Sequence, residues 1–155
     1  MYPRILVPVD GSDASVRALR EAAALGRALG SALVLLHVVD TYQLLLAKAT
    51  QAGFDEARGA LLARGQALLQ ACGQQAGQSG VACDTVLREV MSSRVSAAIV
   101  DEATRQDCSL IVMGTHGRNG RTRLLLGSDA ERVVHAALVP VLLVQQDRAD
   151  GPAAG

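Results

Sequence analysis

Apolar residues along this chain come in short blocks that alternate with longer, periodic segments. The block 4–9 (RILVPV) runs into Asp10-Gly11-Ser12-Asp13, a cluster of turn and cap residues, which predicts a strand and then a helix start. Segment 13–30 spaces Val16, Leu19, Ala23 and Leu29 among arginines and stops at Gly30, a helix with a defined beginning and end. Block 32–39 (ALVLLHVV) is almost continuously apolar, as suits a strand covered on both faces. Segment 41–54 reads as helical or irregular, and 55–77 as a longer helix weakened by Gly59 and Gly65. Partial alternation over 81–89 predicts a further strand. Residues 93–106 place Val95, Ala98, Ile99 and Ala103 on one helical face. Strand 109–114, helix 128–137 and strand 140–145 complete the order. Residues 147–155 form a Gly/Pro/Ala-rich tail expected to fray, leaving one domain over 1–146.

Five apolar strands separated by helices specify an α/β domain with a mainly parallel sheet and helices on both faces. Ligands of such sheets bind outside the carboxyl ends of the strands, where the strand order reverses. Two strand ends carry chemistry: Asp10-Gly11 after the first strand, and Gly114 onward after the fourth. If those strands are neighbours, the two loops face one crevice.

At 155 residues, 50% apolar and 19% charged, the chain can bury a core without metals or disulfides. Aromatic residues make up 2%, too few for the stacking platforms of single-strand nucleic-acid binders. The net charge of zero offers no global attraction for nucleic acid or acidic membrane. No run approaches membrane-spanning length and no signal pattern opens the chain, so a cytoplasmic protein is expected. Cys72, Cys83 and Cys108 lack metal-ligand or paired spacing and read as small buried or half-buried residues.

The stretch 114–128 (GTHGRNGRTRLLLGS) concentrates Gly114, Gly117 and Gly120 with Arg118, Arg121 and Arg123, and ends in Gly127-Ser128 at a helix start. Glycines let backbone N–H groups approach an anion, and a helix N-terminus favours negative charge. A plain turn explains the same residues: Ser128 and Glu131 have the spacing of a capping box. Glycine spacing alone leaves both readings open. Neither a Walker A sequence nor G-x-G-x-x-G is present.

The spacing Gly114-x2-Gly117-x9-Gly127-Ser128 resembles the G-2x-G-9x-G-[ST] signature of ATP-binding members of the universal stress protein family. So do VPVD at 7–10, LLHVVD at 35–40, LIVMGTHGR at 110–118 and VPVLLV at 139–144. The resemblance covers residues 2 to 145. It implies an open five-stranded parallel sheet of order 3-2-1-4-5, Rossmann-like and similar to the adenine nucleotide α-hydrolases, with ATP across the ends of strands 1 and 4. By that similarity Pro8, Val9 and Asp10 border the adenosine, and Val38 offers backbone groups to the adenine edge. Met113 and Gly114 line the ribose side; Gly117, Arg118, Gly127 and Ser128 surround the phosphates, with Asp129 and Ala130 following. Any Mg²⁺ arrives with the nucleotide. Many ATP-binding relatives have an apolar and then a hydroxyl residue where Asp129 and Ala130 stand. The resemblance also implies a homodimer joined through the last strand, Pro140 to Val144, an apolar edge of the kind that invites pairing.

His37, inside an apolar strand, reads as a satisfied core residue. His116 is the histidine placed to meet a ligand, with a solvent-facing role equally open. No nucleophile elbow exists, so efficient hydrolysis is not expected. The function implied is an ATP-binding regulatory or protective stress module. The alternatives are a dimer acting through protein contacts without nucleotide, and a slow ATPase.

Overall fold

The structure is a computed structural model and describes residues 1–47, 50–116 and 126–146. Its elements run β1 (Arg4–Pro8), α1 (Asp13–Leu29), β2 (Ala32–Asp40), α2 (Tyr42–Ala47), α3 (Gln51–Gln78), β3 (Cys83–Val90), α4 (Val95–Arg105), β4 (Leu110–Gly114), α5 (Ser128–Ala136) and β5 (Val141–Val144). The five strands form one parallel sheet in the order β3-β2-β1-β4-β5. Strand β1 is central, with Ile5 opposite both Leu33 of β2 and Leu110 of β4. Ile5, Leu6 and Val7 are wholly buried, which is why the block shows no alternation: both faces are covered. Ile5 and Val7 pack with α1 and α3, whereas Leu6, Val34, Leu36 and Ile111 pack with α4 and α5.

Helix α1 starts where the sequence places it, with Ser12 Oγ accepting the Ser15 N–H at 3.2 Å, and ends at Gly30 in the left-handed region, φ 70°. Its buried stripe is Ala14, Ala18, Leu19, Ala22, Ala23 and Gly26. Of the four apolar positions expected to mark it, Leu19 and Ala23 are buried, but Leu29 is 46% exposed at the last turn.

The segment after β2 differs most from the expectation. The long helix begins at Gln51, not at 55, with Thr50 Oγ1 accepting the Gly53 N–H at 3.0 Å as its cap. Only Gly65, Leu69, Cys72 and Ala76 of α3 are buried. At roughly 42 Å the helix outruns the strands it covers, and its first half overhangs their carboxyl ends. A side-chain tie holds that overhang. Glu89 accepts from Arg58 Nη2 at 2.6 Å and Nε at 2.7 Å, and from the hydroxyl of buried Thr41 at 3.2 Å. The hydrogen bond from Arg58, ahead of that from Thr41, holds the Glu89 carboxyl below the usual carboxylate range despite some desolvation.

Across the sheet, α4 is docked by Arg88. Its Nη1 donates to Asp101 at 2.6 Å, to Glu102 at 3.2 Å and to the Ala98 carbonyl at 3.3 Å. Glu102 is 4% exposed and also accepts from Gln106 Nε2 at 2.9 Å, so this buried charge is paired and hydrogen-bonded as burial requires. Cys72 and Cys108 are buried and Cys83 half-buried; desolvation pushes all three thiols up, Cys83 to about 11. His37 behaves as a satisfied core residue, its Nδ1 2.7 Å from the Val9 carbonyl.

The two glycines expected to weaken α3 act oppositely. A Cβ on Gly59 meets nothing within 4 Å, whereas one on Gly65 would stand 2.8 Å from His37 Cδ2 and Leu87 Cδ1. Gly59→Ala is therefore expected to stabilise by about 0.5–1 kcal/mol. Gly65→Ala is expected to destabilise by about 1 kcal/mol, because the His37 ring is anchored and cannot yield. Urea unfolding of both variants checks the opposite signs.

The Arg58–Glu89 pair also predicts an acid-dependent loss. Because Glu89 has a lower pKa folded than unfolded, its contribution is present above the unfolded value, near pH ~4.3, and is lost as pH falls through the lower folded value. Solvent around Arg58, whose side chain is 44% exposed, keeps the effect modest. Stability measured from pH ~6 to ~3 should fall less steeply in Glu89→Gln than in the wild type.

Candidate functional site

Strand order reverses between β1 and β4: the chain leaves β1 toward β2 on one side and returns through β4 on the other. Their carboxyl ends thus open a crevice, bordered by the turn 9–12, the end of β4 and the start of α5.

On the β1 side the backbone is committed. The Val9 N–H donates to the Leu36 carbonyl at 2.8 Å, and the Val9 carbonyl is within 2.7 Å of His37 Nδ1. Pro8 is the last residue of β1 and pairs with Leu36. Asp10 Oδ1 accepts the Ser12 N–H at 2.9 Å, so one carboxylate oxygen shapes the turn that launches α1. Val38 is half-buried on the α4 side of the sheet, opposite Arg88 of β3.

On the β4 side Gly114 allows a close helix approach. A Cβ there would lie 2.8 Å from the Ala14 Cβ and 3.0 Å from its carbonyl carbon. Met113 is 6% exposed and packs in the α4/α5-side core with Ala130, itself 3% exposed. Both therefore keep their side chains in the core, and what either can offer a ligand is backbone. Gly117 and Arg118 lie outside the described residues, as do Gly120, Arg121, Arg123 and the tail 147–155.

The start of α5 corrects the capping-box expectation. The N-cap is Gly127, with no side-chain cap hydrogen bond, and Ser128 is already the first helical residue. The first intrahelical bond runs from the Glu131 N–H to the Gly127 carbonyl at 3.0 Å, which leaves the N–H groups of Ser128, Asp129 and Ala130 without an intrahelical acceptor. Ser128 is exposed and Asp129 half-buried; Asp129 and Glu131 occupy the first turn, favourable positions for carboxylates.

Thr115 ties this helix to the sheet, although nothing in the sequence distinguishes it. It is 5% exposed. Its N–H donates to the Val144 carbonyl at 3.0 Å, and its carbonyl accepts the Gly127 N–H at 2.7 Å. A Cβ on Gly127 would stand 3.0 Å from that carbonyl oxygen and 3.4 Å from His116 Cα. The Gly127 backbone, φ −59° and ψ 152°, is open to any residue, so the close approach is what demands glycine. His116 follows, with Nδ1 3.1 Å from Thr115 Oγ1. Its Nε2 is shielded from solvent and has no hydrogen-bond partner among the described residues. Among those residues no group of three or more His, Cys, Asp or Glu could hold a metal ion, and no helix is long and apolar enough to cross a membrane.

Such a crevice offers unpaired N–H groups at a helix start and a glycine admitting close approach, a donor set suited to an oxyanion. Gly127→Ala should loosen the β4–α5 junction by about 1–2 kcal/mol, read as a lower midpoint of thermal unfolding in ligand-free protein.

Comparisons with known proteins agree with the fold. A model of the universal stress protein family matches residues 1–145. A universal stress protein of Methanocaldococcus jannaschii is 32% identical over 148 residues, covering 96% of this chain and 85% of that protein. The solved structure of universal stress protein UspA from Lactobacillus plantarum is similar at a TM-score of 0.79 and 29% identity, over 92% of this chain and 97% of that one. Two structures at lower identity share the fold. One is a universal stress protein in complex with cAMP (TM-score 0.69, 22% identity, 94% of this chain and 98% of that one). The other is the Archaeoglobus fulgidus protein in complex with dAMP (TM-score 0.62, 23% identity, 93% and 98%).

Proposed function

The chain belongs to the universal stress protein family, and we propose that it binds an adenine nucleotide, ATP with Mg²⁺, as a cytoplasmic nucleotide-responsive regulatory or protective module. The observation that carries this reading is the start of α5. A helix capped by Gly127 alone, with three N–H groups free of intrahelical acceptors, stands at the end of β4 where an anion gains from both the donors and the helix dipole. Fold neighbours in complex with cAMP and dAMP support an adenine nucleotide as the source of that anion.

In this arrangement Pro8, Val9 and Asp10 border the adenosine, and Val38 meets the adenine edge through its backbone. Gly114 and the Met113 backbone line the ribose. Gly117, Arg118, Gly127, Ser128 and the N–H groups of Asp129 and Ala130 surround the phosphates. The Asp129 carboxylate repels a triphosphate, and a divalent cation travelling with the phosphates offsets that repulsion. Binding regulates by favouring whichever loop or dimer state holds nucleotide more tightly.

The dimer we propose joins two copies through β5. That strand is an open sheet edge, and Leu142 within it and Leu138 in the connection leading to it are 40% and 86% exposed, an apolar margin that a second copy would cover.

Calorimetric titration of ATP with and without Mg²⁺ tests the reading. Heat and a thermal shift are expected with the wild type, stronger with Mg²⁺. In Ser128→Asp, affinity should fall about tenfold while ligand-free stability holds or rises, since the added carboxylate suits the helix start yet opposes phosphate. Silence in the wild type with every adenine nucleotide would refute the proposal.

A further inference from the structure

We propose that the groove between α1 and α3 docks an acidic amphipathic helix of a partner protein, whose carboxylates reach Arg20 and Arg27. The two helices lie on one face of the sheet, where Ala18, Leu19, Ala22 and Ala23 share a core cluster with Leu69, Cys72 and Ala76. Toward their carboxyl ends a groove of about 180 Å³ stays open between them. Leu19, Ala23 and Ala76 form its floor, with Arg20 and Arg27 on the α1 side and Gln75 on the α3 side. Helices α1 and α3 end at Leu29 and Gln78, just before β2 and β3 begin, so the groove lies toward the amino ends of the strands. The crevice opens at the other end of the sheet, and a partner seated in the groove leaves it free.

The charges across the groove are unbalanced. Residues 65–79, which run to the end of α3 and its cap, contain no charged side chain. Arg20 and Arg27 are exposed and make no ion pair among the described residues, whereas Arg4, Arg58 and Arg88 each hold a carboxylate. Half-buried Gln75 makes no side-chain hydrogen bond among those residues either. Arg27 suits the last turn of α1 through the helix dipole, but Arg20, in mid-helix, has no such use. Seven residues apart, the two guanidinium groups share a helix face about 10 Å apart along the axis. A partner helix offers carboxylates at i and i+7 with that same spacing, and apolar side chains at i+3 and i+4 between them. Guanidinium forks match carboxylates in geometry as well as charge. Clefts for small ligands measure roughly 300–1,000 Å³; this groove is sized for inserted side chains instead. Nucleic acid or a lipid headgroup would use the arginines and leave the apolar floor empty, and exposed Glu21 beside Arg20 opposes both.

The probe is a fluorescent alanine-based peptide of about 20 residues, long enough to form a helix alone. It carries two glutamates seven apart, with leucines three and four positions after the first. Full-length protein should bind it, less tightly as salt rises from ~0.05 to ~0.5 M. Arg20→Gln combined with Arg27→Gln should bind it about tenfold more weakly. Both positions are exposed, so circular dichroism and the unfolding midpoint should not change. Arg20→Glu with Arg27→Glu should reject this peptide and bind its counterpart with lysines in place of both glutamates. Serines in place of the leucines should weaken binding to the wild type, because the groove floor is apolar.

A wild type that ignores the glutamate peptide overturns the proposal, as does equal affinity in the wild type and the double glutamine variant. Charge reversal that fails to exchange the two peptides has the same meaning. Tighter, arginine-dependent binding of an RNA oligomer or a phosphatidylserine vesicle would assign the groove to a polyanion and defeat the helix. Sedimentation showing that charge reversal dissociates a dimer would defeat it too, since a second copy then covers the groove.

Discussion

Everything in this molecule is arranged around the burial of one five-residue strand on both faces. Ile5, Leu6 and Val7 of β1 have no exposed surface, so helices must lie on either side and neighbouring strands on either edge. Parallel neighbours require crossovers, and right-handed crossovers taken first one way and then the other put helices on opposite faces. The reversal in β3-β2-β1-β4-β5 is a direct result. The crevice at the carboxyl ends of β1 and β4 is therefore a product of core burial, available before any residue of the site is chosen.

The glycines that mark the site have separate physical duties. Gly114 admits Ala14 of α1, and Gly127 admits the Thr115 carbonyl. Both are close approaches between backbones, and both position the ends of helices around the crevice. A glycine spacing that resembles a phosphate signature is thus also a packing signature for two helix–sheet junctions. The two requirements coincide because a helix N-terminus near a strand end is what an anion needs.

Strands β1, β2, β4 and β5 were legible because each is a short apolar block between turn residues, β3 through its partial alternation, and helices α1, α4 and α5 because their apolar positions recur at helical spacing with a start or a stop beside them. Boundaries shifted by a residue or two, as fraying ends do. The first turn of α3, residues 51–54, was not legible. Its residues bury no complete face, so periodicity carries little information there, and the cap at Thr50 gives a weaker cue than the acidic pair at 55–56. Ser128 misled for a related reason. Its spacing to Glu131 satisfies a local rule, but beside the Thr115–Gly127 contact the N-cap is Gly127, one residue before Ser128. The core role of the Ala130 side chain and the anchoring of His116 by Thr115 depend on residues brought together by tertiary folding, which no local pattern encodes.

The pairing of β1 with β4 also shapes how the chain assembles. Arg4 donates through Nε to the carbonyl of Gln106 at 2.7 Å, a contact between residues 102 positions apart, and Ile5 meets Leu110 beside it. During synthesis β1 can pair with β2 early, but its other edge stays open until most of the chain has been made. An apolar strand with a free edge is a template for wrong partners, and late long-range closure slows folding. The step that ends this exposure is the arrival of β4, the same step that first creates the crevice, so a nascent chain acquires its protected core and that crevice together.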